Sequence, residues 1–163
     1  MDEAILDRDA GYALLTELQD ERYRTALLTG LEKRAPGFPD WLVTVLFGGT
    51  YQRPGLGLRD RQVANLAALT ALGGVDPQLA GHVETSLRIG MTPQEIVEVF
   101  VHLAPYVGVP KALAGLRAAT PVLDRAEHAD RPADEAAGEP AGRTEEPAGH
   151  TGQPAARAGE PVR

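Results

Sequence analysis

From residue 8 to residue 123 the large apolar side chains recur every three to four positions, the period of helices that bury one face. Leu14, Leu15, Leu18, Tyr23, Leu27, Leu28 and Leu31 mark a first helical segment over about 8–34, closed before Pro36. A second begins near Pro39-Asp40 and carries Trp41, Leu42, Val45 and Leu46 to the pair Gly48-Gly49. The loop 53–57, RPGLG, then interrupts regular structure. Leu58 opens a third segment, with Val63, Leu66, Ala67 and Leu69 on its apolar side, that stops at Gly73-Gly74.

The fourth segment takes Asp76 as its N-cap and Pro77 in its first turn, and closes at Gly90. Thr92-Pro93-Gln94-Glu95 is a capping box that starts the fifth. Its residues Ile96, Val97, Phe100, Val101, Leu103 and Ala104 cover more than one stripe, which predicts the buried central helix. Pro105 removes a backbone donor and predicts a kink there. The last segment runs from Pro110 past Leu116 toward Leu123, with Pro121 bending or ending it. The pattern predicts an all-α fold, a compact bundle of about six helices.

Beyond Leu123 there is no aromatic residue, and Val162 is the lone large or branched aliphatic. Such a segment buries too little apolar surface to offset its conformational entropy, so a domain over 1–125 and a disordered Ala/Gly/Pro/Glu-rich tail over 126–163 are expected. Of the 23 acidic and 16 basic residues, nine and five lie between Asp124 and Arg163. The domain is therefore only mildly acidic, which disfavours binding nucleic acid through its phosphates. No apolar run is long enough for a membrane span, and the start MDEAILDRDA is acidic where a signal peptide is basic, so a soluble cytoplasmic protein is expected. The chain contains no cysteine, which excludes thiolate zinc sites, disulfides and a thiol peroxidase.

The chemistry concentrates between Asp76 and Pro110, which places His82, the stop at Gly90, the start at Thr92, His102 and Tyr106 in one helical frame. The stretch YQRPGL (51–56), the helix RQVANLAALTALG (61–73), the run LAGHVETSLRIGMTPQEIVEVFVH (79–102), and Tyr106, Gly108 and Pro110 together resemble the carboxymuconolactone decarboxylase family. That family shares its all-helical fold with the alkyl-hydroperoxidase D proteins, and the resemblance covers about residues 21–123. It implies a homo-oligomer, a trimer or hexamer, with sites between helices near subunit contacts. Peroxidase members carry a Cys-x-x-Cys pair where this chain has Val75 and Gln78, and a relay glutamate near Val63. The resemblance therefore points to the decarboxylase branch, with Ser86, Leu103 and Pro105 departing from residues common in it.

The implied reaction is loss of carbon dioxide from 4-carboxymuconolactone through a dienolate conjugated with the lactone carbonyl. The substrate supplies its own electron sink, so neither a metal nor an organic cofactor is expected. Cations to hold carboxylates and a tuned acid suffice. Read alone, His82 is better explained as a helix histidine bonded to a carbonyl or to water, whereas the family position makes it the proton donor. His102 is equally a satisfied core imidazole or a second catalytic group. Arg61 and Arg53 are candidates for a carboxylate clamp, with a solvated helix end as the alternative.

Tyr106 is a candidate donor to the developing oxyanion, or a packed tyrosine with a wet hydroxyl. Trp41, Phe47 and Tyr51 either wall a substrate pocket or belong to ordinary core. Ser86 shares a helix face with His82, but no nucleophile elbow surrounds it. The two domain histidines have no carboxylate at ligand spacing, so no metal site is expected. Two other functions stay open: a tailoring step on polyketide-like rings of secondary metabolism on the same fold, and a non-catalytic helical oligomeric binding protein. The expected partners are a small carboxylate or lactone and further copies of the chain.

Overall fold

The computed structural model describes residues 6–130. The expected tail lies outside them from residue 131 onward. Seven α-helices follow in order: α1 Arg8–Leu18, α2 Glu21–Arg34, α3 Phe38–Leu42, α4 Leu58–Leu72, α5 Asp76–Arg88, α6 Pro93–Val107 and α7 Val109–Asp130. A π-helical turn, Val43–Phe47, extends α3, and a 3-10 turn, Thr50–Gln52, precedes the loop to α4. Among the described residues there is no strand, so the fold is all-α.

The single first helix expected over 8–34 is two. Gln19 is extended, and the Asp20 carboxylate accepts from the Tyr23 amide to cap α2. A cap of this kind overrides a hydrophobic spacing that reads through it. The expected second helix also changes character after Leu42, where the Gly48 amide reaches back to the Val43 carbonyl at 3.0 Å. Gly48 needs to be glycine, since a Cβ there would lie 2.1 Å from the Asp7 carbonyl oxygen. This close approach seats the start of α1 on the π turn.

Helices α4, α5, α6 and α7 surround the main core of Leu66, Leu79, Val83, Met91, Ile96, Phe100, Ala119, Val122 and Leu123. A buried Phe100 or Ile96 contributes on the order of 2–3 kcal/mol from area removed from water. Gly115 on α7 lets that helix approach closely, because a Cβ there would meet the Phe100 ring at 2.9 Å. The capping box forms: the Thr92 hydroxyl accepts from the Glu95 amide and the Glu95 carboxylate accepts from the Thr92 amide. Glu95 also takes both η nitrogens of Arg59, tying the first turns of α6 and α4 together.

Several expectations need correction. Val75, not Asp76, is the N-cap of α5. Only Ile96 and Phe100 of α6 are fully buried, while Val101 is 51% exposed, so α6 is half-covered in a single chain rather than its buried centre. Neither proline stops its helix. Pro105 lies within α6, which runs on to Val107, and Pro121 lies within α7, which reaches Asp130.

Candidate active site

Helix α4 turns Gln62, Leu66 and Thr70 inward at spacings of four, so a carboxamide sits within the apolar face. Gln62 is fully buried, at 0% exposure, and a buried amide needs partners on both its oxygen and its nitrogen. Its Oε1 lies 2.9 Å from Nδ1 of His82, which α5 presents across the α4–α5 contact. Its Nε2 donates to the hydroxyl of Tyr51 at 3.4 Å, and Asn65 Nδ2, one turn along α4, donates to the same hydroxyl at 2.7 Å.

Tyr51 stands on the 3-10 turn, its ring 5.3 Å from that of Phe47. Over its other surroundings lies Arg61, whose guanidinium carbon is 5.5 Å from the ring centroid. Arg61 Nε donates to the Leu56 carbonyl at 3.1 Å and Nη2 to the Arg53 carbonyl at 2.6 Å, folding the 53–57 loop onto the start of α4. A guanidinium has five N–H groups, so three stay available for a carboxylate. The structure thus gathers His82, Gln62, Tyr51, Asn65 and Arg61 into one polar cluster in an otherwise apolar helix contact. Burial lowers the His82 pKa from its ordinary value of 6.5, because the imidazolium loses hydration that no carboxylate replaces.

The other sequence-derived candidates lie elsewhere. Ser86 is fully buried, and its hydroxyl donates to the His82 backbone carbonyl at 2.7 Å rather than to the imidazole. His102 and Tyr106 pair with each other on α6, ring centroids 5.2 Å apart, and Tyr106 is 73% exposed. Neither shares a hydrogen bond with the His82 cluster among the described residues. His102 is exposed, so the buried-imidazole alternative does not apply to it. Trp41 is 57% exposed and stacks on Phe38 at 5.6 Å. Arg53 contributes its carbonyl to the loop while its side chain is exposed.

Gln62 and Asn65 escaped the sequence reading. The side chain that meets His82 comes from Gln62, one residue before Val63, whose own side chain is exposed. A polar residue at buried spacing with Leu66 was the available signal. A separate groove of about 500 Å³ is lined by Leu18, Gln19, Tyr23, Gly81, Glu84 and Arg125 among others, and His82 is not part of its wall. Among the described residues no three His, Asp or Glu side chains converge as metal ligands would.

The fold is all-α, with His82 held against Gln62 across the α4–α5 contact. The sequence model of the carboxymuconolactone decarboxylase family matches residues 36–121, and the chain belongs to that family. It is similar to the 4-carboxymuconolactone decarboxylase of Acinetobacter baylyi, 29% identical over 113 residues that make up 69% of this chain and 84% of that protein. It also resembles an uncharacterized 15.0 kDa protein from the nqo9-nqo10 intergenic region of Paracoccus denitrificans, 30% identical over 96 residues, 58% of this chain and 72% of that one.

Proposed function

We propose that the chain is a cofactor-free carboxy-lyase acting on 4-carboxymuconolactone or a closely related lactone acid. The observation that carries this reading is the His82 cluster: one half-buried titratable imidazole bonded to Gln62, which links it to a phenol with a guanidinium over its ring. Arg61 holds a substrate carboxylate through its three unused N–H groups. The bond between the ring carbon and its carboxylate breaks, carbon dioxide leaves, and the electron pair moves through the ring onto the lactone oxygen as a dienolate. The dienolate then collapses as ring carbon takes a proton from His82.

At rest the buried imidazole favours its neutral form. A doubly negative substrate beside it reverses that preference and recruits the proton that catalysis consumes. Self-association completes the setting in this proposal. Leu56 and Val63, exposed near Arg61 and Gln62, form an apolar rim that a second copy would cover and so exclude water. The test is carbon dioxide release from 4-carboxymuconolactone with no added cofactor, run in deuterium oxide. Stoichiometric release with one deuterium on a ring carbon of the product is expected. An intact substrate after prolonged incubation would overturn this assignment.

A further inference from the structure

With the Gln62 amide oriented as it stands, the bonds around His82 place three hydrogens. Gln62 Oε1 is an acceptor, so the imidazole donates to it and carries its hydrogen on Nδ1. That orientation turns Gln62 Nε2 toward Tyr51 Oη, which also receives Asn65 Nδ2. Amide NH2 groups donate and cannot accept, so both neighbours occupy the lone-pair side of the phenol oxygen. Tyr51 then holds an O–H for which the described residues provide no acceptor.

We infer that Gln62 is a positioning residue that holds His82 as the Nδ1–H tautomer with Nε2 toward the reactant, and that Tyr51 is the hydroxyl donor to the substrate oxygen on which negative charge develops. For the identity of that oxygen the inference rests on the lyase reading; the hydrogen arrangement does not. From His82 through Gln62 to Tyr51 every donor points the same way, so each bond polarises the next. Arg61 over the Tyr51 ring adds a positive charge beside the phenol. Tyr106 is poorly suited to the same task, since it pairs with His102 and shares no hydrogen bond with the His82 cluster among the described residues.

The opposite orientation of the Gln62 amide reverses both bonds that Gln62 makes. Gln62 Nε2 would donate to His82 Nδ1, its Oε1 would take the Tyr51 hydrogen, and the imidazole would be protonated on Nε2. The His82 tautomer therefore reports the orientation of the Gln62 amide. It is read in full-length protein labelled with 15N-histidine, by long-range proton–nitrogen correlation well above the imidazole titration. The His82 signals are identified by their loss in His82→Gln.

Protonated Nδ1 with bare Nε2 is the expected result, and protonated Nε2 overturns the inference whatever the activity assay gives. In Gln62→Glu a carboxylate accepts from both neighbours. The His82 titration should then move up while kcat falls and KM changes little. An unmoved titration there counts against Gln62 as the partner of Nδ1. Tyr51→Phe should lower kcat about 10²- to 10³-fold, the usual cost of one oxyanion donor, and an unchanged kcat overturns the role given to Tyr51. The Nδ1–H tautomer with no turnover of the lactone supports the Gln62 arrangement and overturns only the lyase reading.

Discussion

His82 is subject to opposing influences, and the balance sets a pH dependence. Burial lowers its pKa from 6.5, and in the proposal the protonated ring is the active form of the free enzyme that kcat/KM reports. The proposal therefore predicts kcat/KM flat at low pH and falling about tenfold per pH unit above a midpoint below 6.5. His82→Gln should remove that limb; a midpoint above 6.5 in the unmodified protein would contradict the assignment. At this scale the sequence revealed which residue types stand near one another but not how their hydrogens are shared. Spacing put Ser86 on the face of His82, yet its rotamer directs the hydroxyl to its own helix backbone. Gln62 was missed because a carboxamide reads as surface unless its four-residue spacing to Leu66 is weighed.

Among the elements, α6 is the best specified by local chemistry. The Arg59 pair and the Thr92–Glu95 box hold the Glu95 carboxyl down to about 2 from 4.5. A lowered carboxyl stabilises the fold fully above its unfolded value, and that contribution is lost as pH falls through 4.5 toward about 2. Acid unfolding of Glu95→Gln should accordingly lack part of the wild-type slope in that window, and identical slopes would count against the pair. Thr92→Ala should cost about 1 kcal/mol in urea unfolding, the usual value of a lost N-cap. Gly115→Ala, which forces a methyl against Phe100, should cost about 1–3 kcal/mol by overpacking. The starts of α6 and α4 were legible because caps and turn residues act over a few positions. The π turn was not, because the close approach of α1 to Gly48 joins residues about forty positions apart, and the break at Gln19-Asp20 was read through although its Asp20 cap is local.

For the whole molecule, the all-α class followed from periodicity, while the degree to which α6 is covered depends on what lies beyond one chain. Val101, Tyr106, Val109 and Leu113 leave apolar surface on α6 and α7. In the proposal this surface meets further copies of the chain. Sedimentation should give three or six times the chain mass, and Val101→Glu with Leu113→Glu should reduce it to one; a monomer for the unmodified protein at every concentration would refute the assembly. Among the described residues no helix is long and apolar enough to cross a membrane. The central claim is that an imidazole on α5 moves the proton in a decarboxylation. Its most direct test compares carbon dioxide release from 4-carboxymuconolactone by the unmodified protein and by His82→Gln of matched helix content. The account predicts a loss of about 10²- to 10⁴-fold in the variant, the range for removing a positioned acid, and equal rates in the two proteins would contradict it.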